Sequence, residues 1–131
     1  MSTGVLAGKR GLIMGVANDK SIAWGIAQSA AREGAELAFS YQGEVLEKRV
    51  RPLAEKVGAD MLTCDVTDDA SIDALFDTLE EKWGKLDFVV HAIGFSNKDE
   101  LKGEYLNTSR ENFALTMDIS VYSFTAVAQR A

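Results

Sequence analysis

The repeated switch between short apolar runs and longer segments of helical periodicity most constrains what this chain can fold into. The apolar runs predict four strands, at Arg10–Gly15, Glu36–Tyr41, Asp60–Val66 and Leu86–Ile93. A segment with apolar residues three or four positions apart follows each run and predicts a helix. This order is typical of strand-helix-strand units, so we expect an α/β fold built on a parallel sheet.

The first two helices are predicted from their apolar faces and end signals. The first begins near Ser21 and ends at Gly34. Its apolar face is formed by Ile22, Ile26, Ala27, Ala30 and Ala31. The second spans Glu44–Val57, with apolar positions at Val45, Leu46, Val50, Leu53 and Val57. Because Pro52 lacks an amide hydrogen, we expect a kink or a break near residues 49–51.

The last two helices frame the one long irregular segment. The third is capped by Thr67, Asp68 or Asp69 and ends at Gly84. Its apolar face is Ile72, Leu75, Phe76, Leu79 and Trp83. The fourth runs from near Ser109 to Ala131, with an apolar stripe of Phe113, Met117, Val121, Phe124 and Val127. Ser96–Thr108 follows the fourth strand and is a candidate substrate-side loop.

The composition fits one domain and argues against several classes of function. The chain has 131 residues, 47% of them hydrophobic, and a net charge of −6. No run of Lys and Arg forms the basic stripe that nucleic-acid binding requires. Cys64 is the only cysteine, which excludes an internal disulfide and predicts a reducing compartment, and no Cys/His cluster predicts a metal site. Neither a leader nor a membrane-spanning run is evident, so we expect no membrane partner.

The loop after the first strand is a candidate phosphate site, since ligands of open parallel sheets bind beyond the carboxyl ends of the strands. Amide hydrogens and the helix dipole there favour a pyrophosphate. The spacing differs from G-x-G-x-x-G, because Gly15 is followed by five residues and then Ser21, with Gly25 four positions further on. The alternative is that both glycines serve turns and packing and that Ser21 only caps the helix.

Gln42 follows the second strand, where dinucleotide folds usually place the side chain that contacts the adenosine ribose. Glu44 opposes a phosphate on that ribose, whereas Lys48 and Arg49 favour one. NADH is therefore the first choice and NADPH the alternative. Gln42 can also be an ordinary polar loop residue.

Asp65, at the end of the third strand, is placed to accept a hydrogen bond from the adenine amino group, with help from the Val66 backbone. Helix capping is the alternative role for Asp65. After the fourth strand, residues 92–94 lack bulk, which would let a nicotinamide ribose lie across the strand; a common turn is the alternative there. We interpret His91 as structural rather than catalytic, and Cys64 as a small buried hydrophobe.

In this order the residues resemble bacterial enoyl-acyl-carrier-protein reductase, a family of the short-chain dehydrogenase/reductase superfamily. The motifs that carry the resemblance are Gly15-x5-Ser21-Ile22-Ala23, Gln42, Cys64-Asp65-Val66, His91-Ala-Ile93-Gly94-Phe95 and Asp118-Ile119-Ser120-x-Tyr122-Ser123-Phe124. They extend over nearly the whole chain. The serine that replaces a glycine in the first loop is among the most specific of them.

The resemblance implies a Rossmann-type, doubly wound parallel sheet, of which this chain holds the first four strands with their helices. It also implies reduction of the trans-2 double bond of a fatty acyl chain on acyl carrier protein, with a nicotinamide hydride, by a cytoplasmic homotetramer. The dinucleotide contacts that it implies are Gly15, Ser21, Ile22, Gln42, Asp65, Val66 and Ile93. Ser96 matches a position beside the substrate.

The family's catalytic tyrosine and lysine, six residues apart, have no counterpart here, since Tyr105 and Tyr122 do not match that tyrosine. We therefore expect residues 1–131 to be the dinucleotide-binding half, with no catalytic residue of its own and inactive alone. The apolar fourth strand has the composition of a central strand. Without the fifth strand, residues 88–93 would form an unpaired apolar edge.

Two other functions remain open at this point. One is a short-chain reductase that acts on a carbonyl rather than on an enoyl group. The other is a binding module without catalysis. Separate measurements of NADH binding and enoyl reduction distinguish the module from an enzyme.

Overall fold

A computed structural model describes residues 4–131 of the chain. Its four strands are β1 (Arg10–Met14), β2 (Glu36–Tyr41), β3 (Asp60–Thr63) and β4 (Phe88–His91). Its helices are α1 (Ile22–Arg32), α2 (Glu44–Val57), α3 (Asp69–Trp83), α4 (Arg110–Met117) and α5 (Ser123–Arg130). A π turn, Asp118–Tyr122, joins α4 to α5, and two short 3₁₀ turns, Lys98–Glu100 and Tyr105–Asn107, lie in the segment after β4.

The sheet is parallel throughout, in the order β3-β2-β1-β4. The central strand β1 is the most buried, with Leu12, Ile13 and Met14 fully enclosed. Alternate side chains of a strand point to opposite faces. Ile13 accordingly packs with residues of α1 and α2, whereas Leu12 and Met14 pack with residues of α3 and α5. The sheet therefore has helices on both faces, as the sequence predicts.

β1 ends one residue before the predicted Gly15, and two other strands are shorter than predicted by more than one residue, because their partners end first. The strand predicted at residues 60–66 stops at Thr63, since the neighbouring β2 ends at Tyr41 and offers only one more acceptor, to the amide of Cys64. The strand predicted at residues 86–93 is β4 alone. Its ladder closes with the bond from Ala92 N to Met14 O, where β1 ends.

β4 lies at the edge of the sheet, and all four of its residues are only partly buried. The expected unpaired apolar edge is confirmed within the described residues. The composition of a central strand thus occurs here at an edge position.

The buried face of α1 is rotated relative to the predicted one. Ala23, Trp24, Ala27 and Ala30 are buried, whereas Ile22 is 81% exposed and Ile26 is 39% exposed. The Trp24 ring packs edge-on against Phe39 of β2, with ring centroids 6.4 Å apart. Burial of this large indole sets the helix rotation and leaves both isoleucines outside.

The break expected at Pro52 does not occur, since α2 is continuous from Glu44 to Val57. Proline removes one backbone hydrogen bond from a helix. Val50, Leu53 and Ala54 are buried around it and hold both sides of the proline against the sheet. Val45, predicted on the apolar face, is instead exposed.

The final helical segment differs most from the expectation of one helix with a buried apolar stripe. The π turn interrupts it, and only Val127 of the predicted stripe is buried. We call the other four the outer stripe: Phe113, Met117, Val121 and Phe124, which are 42–58% exposed. No helix within residues 4–131 has the length and apolar character needed to cross a membrane.

Candidate functional site

A groove of about 540 Å³ lies at the carboxyl ends of the strands, where the topology of a parallel sheet predicts a ligand. The residues predicted to contact a dinucleotide that line it are Gly15, Gln42, Asp65, Val66 and Ile93. Leu115 and Ile119 complete its wall from the final helical segment. A larger groove, of about 880 Å³, lies elsewhere, between α1 and β4, and is lined mainly by apolar side chains.

Gly15 brings the ends of β1 and β4 together. Its φ is +112°, a conformation that side chains disfavour, and an added Cβ would lie 2.1 Å from the carbonyl oxygen of Ala92. Gly25, the other glycine of the predicted motif, has open space around it and a negative φ. Gly15 is therefore required by the backbone, whereas Gly25 is not.

Ser21 occupies the N-cap position of α1 but does not cap the helix through its side chain. Its Oγ instead accepts hydrogen bonds from the amides of Ala17 and Asn18, at 3.0 and 3.1 Å. These two amides of the candidate phosphate loop are thus satisfied internally and are not available to a pyrophosphate. The Ser21 hydroxyl, which belongs to the same loop, accepts from these amides in place of a ligand.

The amide hydrogen of Ile22 has no acceptor among residues 4–131, and neither has that of Ala23. Both belong to the first turn of α1, at the positive end of its dipole. The Ile22 side chain points away and lines the larger groove beside β4. Any anion at this position would therefore contact the Ile22 backbone and not its side chain.

Asp65 holds a turn and does not cap α3. Its Oδ1 accepts hydrogen bonds from the amide and the hydroxyl of Thr67, at 2.9 and 2.7 Å. Asp68 is the cap, since its carboxylate accepts a hydrogen bond from the Ala70 amide. Asp65 Oδ2 has no donor among the described residues and remains free to accept one. The capping alternative for Asp65 is therefore wrong.

His91 lies beside the groove rather than in it. Its Nε2 is 2.8 Å from Ser123 Oγ, and that hydroxyl donates its own proton to Ile119 O. The imidazole must therefore donate from Nε2. Burial lowers the pKa of His91, and its ring packs edge-on against Phe124. These contacts support the structural interpretation.

Sequence reasoning missed a row of polar side chains that faces inward along the final helical segment. We call it the inner stripe: Asn112, Thr116, Ser120 and Ser123. The buried Asn112 accepts from the Asn97 amide at 2.9 Å and donates to Ser96 Oγ at 3.0 Å. Each member precedes a residue of the outer stripe, and the spacing of four, four and three residues was a readable signal.

Ser96 is held beneath α4, outside the lining of the groove. Its Oγ accepts hydrogen bonds from Asn112 Nδ2 and from Thr116 Oγ1, at 3.0 and 3.1 Å. A contact with a substrate stays a prediction for this residue.

Comparison with known proteins identifies the family. A model described as enoyl-(acyl carrier protein) reductase matches residues 15–131. The chain belongs to the enoyl-(acyl carrier protein) reductase family. The resemblance drawn from its motifs is thereby confirmed.

The relatives are similar over nearly all of this chain but are longer than it. Enoyl-[acyl-carrier-protein] reductase [NADH] 1 of Rhizobium meliloti is 68% identical over 131 residues, which are 99% of this chain and 48% of the relative. The FabI of Aquifex aeolicus is 54% identical over 127 residues, 96% of this chain and 47% of the relative. The chain thus spans about half the length of the curated relatives it matches.

Solved structures of the family have the same fold. The crystal structure of FabI from Candidatus Liberibacter asiaticus superposes with a TM-score of 0.96 at 57% identity, covering 100% of this chain and 51% of that one. The reductase from Anaplasma phagocytophilum, solved in complex with NAD, gives a TM-score of 0.94 at 54% identity with the same coverage. The incomplete Rossmann-type α/β fold is therefore confirmed.

Cys64 is buried in the core beside Leu12 and Ile72, and burial raises the pKa of its thiol. A thiol of this kind packs as a small hydrophobe and is a poor nucleophile. Among residues 4–131, no three His, Cys, Asp or Glu side chains form a cluster that could hold a metal ion.

Proposed function

We propose that residues 1–131 form the dinucleotide-binding half of an NADH-dependent enoyl-acyl-carrier-protein reductase of fatty acid biosynthesis. The observation that carries the proposal is the convergence of Gly15, Gln42, Asp65 and Ile93 in one groove at the strand ends of a family member. The proposed substrate is an enoyl chain on acyl carrier protein. The tyrosine and lysine implied by the resemblance would belong to the half of the relatives that this chain does not span.

Polar groups of the groove and of the first turn of α1 support dinucleotide binding. The Ile22 amide, with the Ser21 loop behind it, would bind the pyrophosphate, and Gln42 the adenosine ribose. Asp65 Oδ2 would accept from the adenine amino group, next to the Val66 backbone. Ile93 would lie against the nicotinamide ribose.

NADH is proposed over NADPH on the charges around Gln42. Neither Lys nor Arg is among the described residues that line the groove, so a ribose phosphate would meet no cation there. Glu44, in the first turn of α2, would repel that phosphate. Lys48 and Arg49 lie one turn further on and keep NADPH as the alternative.

The chemistry proposed for the whole reductase is the addition of hydride to the β carbon of the enoyl chain. The bound nicotinamide supplies the hydride, and groups beyond this chain would stabilise the resulting enolate. Within this chain, the residues at the strand ends bind and orient the dinucleotide. Ser96 would lie beside the substrate.

The surfaces exposed on both sides of the β4 edge support the proposal that this chain is a half-domain. The larger groove between α1 and β4 exposes Ile22, Ile26 and Phe88 on one face of the sheet. A groove of about 300 Å³ lies between β4 and α5 on the other face. A strand paired to β4, with a helix on each side of it, would cover all three surfaces.

We also propose that the complete reductase is a cytoplasmic homotetramer. The outer stripe supports self-association, because four large apolar side chains exposed on one helical segment are typical of an interface. The free, buried thiol of Cys64 supports a reducing compartment.

Titration calorimetry tests the nucleotide proposal on the 131-residue chain. We expect NADH to bind at one site, more tightly than NADPH, and we expect no reduction of an enoyl substrate. Absence of NADH binding would contradict the proposal. Turnover would show that the catalytic groups lie within this chain, and binding without turnover by the full-length reductase would favour a non-catalytic module.

A further inference from the structure

One hydroxyl bonds both backbone polar groups of Phe95. Ser120 Oγ accepts a hydrogen bond from the Phe95 amide at 3.0 Å and donates one to the Phe95 carbonyl at 3.2 Å. The ladder between β4 and β1 has already closed at Ala92. Ser120 thus gives Phe95 the pair of bonds that a neighbouring strand would otherwise provide.

The bonded segment forms one wall of the groove. Ile93, Gly94 and Phe95 line it, and so does Ile119, the residue before Ser120. A Cβ added at Gly94 would lie 3.8 Å from Ser120 Oγ, so the segment packs against the π turn at contact distance. A shift of Ser120 would therefore move two adjoining walls together.

Outside the final helical segment, the other anchors of the inner stripe bond only residues that do not line the groove. Asn112 holds Ser96 and the Asn97 amide, and Ser123 holds His91. Ser123 also bonds Ile119 O within its own helical segment, so Ser120 alone among the four bonds a groove-lining residue outside that segment. This difference distinguishes Ser120 from its neighbours and makes Ser123 the matched control.

We propose that Ser120 is a positioning residue that fixes the backbone of residues 94 and 95 so that the groove accepts the nicotinamide ring of the dinucleotide. The inference rests on the proposed function and deepens it. Ser120 acts through the backbone and does not itself touch the nucleotide. The π turn that carries it is a form of helix that occurs frequently at functional sites.

The test compares NADH with ADP-ribose, which lacks the nicotinamide ring, by calorimetry on the 131-residue chain. We expect Ser120→Ala to weaken NADH binding about fivefold to tenfold and to leave ADP-ribose binding within about twofold. Ser120→Thr, which keeps the hydroxyl, should restore NADH binding. Ser123→Ala should lower the unfolding midpoint without changing the ratio of the two dissociation constants.

Equal weakening of both ligands in Ser120→Ala would overturn the inference, and so would a loss of selectivity in Ser123→Ala. A wild-type chain that binds ADP-ribose but not NADH would overturn it while leaving the adenosine side of the proposed function intact. A chain that binds neither ligand would remove both proposals.

If Ser120→Ala does not fold, amide hydrogen exchange of the wild type provides the decision. The Phe95 amide should be protected in the free chain, and NADH should protect it further whereas ADP-ribose should not. Exchange of this amide at the rate of an unstructured peptide would overturn the inference.

Discussion

Two of the strand-end segments that line the groove, those after β1 and β4, are held in different ways. The loop after β1 is organised by its own residues, since Ser21 bonds amides only three and four positions away. The segment after β4 is held from outside, by side chains 15 to 32 positions further along the chain. The phosphate side of the groove is thus a local structure, whereas the nicotinamide side depends on the docking of the final helical segment.

Gly15→Ala should have the largest effect, because it acts where the two segments meet. The new Cβ would collide with the Ala92 carbonyl in a backbone conformation that alanine disfavours. We expect a loss of about 3 kcal/mol in the free energy of unfolding, measured in urea. Gly25→Ala is the control and should be neutral or stabilise α1 by up to about 1 kcal/mol. Equal effects of the two substitutions would contradict the role given to Gly15.

Asn112→Ala should destabilise the nicotinamide side of the groove and leave the phosphate side unchanged. It removes a buried amide and leaves the Asn97 amide hydrogen without its acceptor. We expect a loss of about 2 kcal/mol in urea unfolding, together with faster hydrogen exchange in residues 95–98 and unchanged exchange in residues 16–22. The exposed Asn107→Ala should change stability by less than about 0.5 kcal/mol. Coupled changes in both segments would mean that they are not independent.

Ser21→Ala should weaken the phosphate side by a smaller amount. The Ala17 and Asn18 amides lose their acceptor, but water can replace it because Asn18 is exposed. We expect a loss of about 1 kcal/mol in stability and equal weakening of NADH and ADP-ribose in calorimetry. Weaker binding of NADH with unchanged binding of ADP-ribose would contradict the assignment of Ser21 to the phosphate side of the groove. The exposed Ser29→Ala serves as the control.

A fall in pH should slightly destabilise the nicotinamide side of the folded chain through protonation of His91. Burial lowers the pKa of the folded imidazole below its ordinary value of 6.5, so the unfolded chain takes up the proton first. Stability is therefore complete above pH 6.5 and declines as the pH falls below it, until the folded imidazole is also protonated. Thermal unfolding of the wild type should show this decline, and His91→Gln should not. A decline of the same size in both proteins would assign it to carboxylates.

Sequence predicted what local signals determine. The bounds of β2 and α2, a cap within residues 67–69 and the turn at Gly15 follow from patterns that need no distant partner. The positions of Gln42 and Asp65 at one edge of the sheet follow from strand order, because parallel strands end on the same side.

Features that depend on distant partners were not predicted. The rotation of α1 depends on Trp24 meeting Phe39, and the inward turn of the inner stripe depends on backbone groups left unpaired after β4. Periodicity was used to predict one apolar stripe on the final helix, and the offset polar stripe that faces inward was missed. The apolar stripe was the reasonable choice for a core, yet the unpaired backbone of residues 95–97 required polar partners.

Hydrogen exchange of the wild-type chain with and without NADH tests the central claim most directly. If NADH binds across the segments after β1 and β4, it should slow hydrogen exchange both in residues 16–23 and in residues 92–96. Protection that appears only beside β4 and α1, around Ile26 and Phe88, would instead place the ligand in the larger apolar groove and contradict the account.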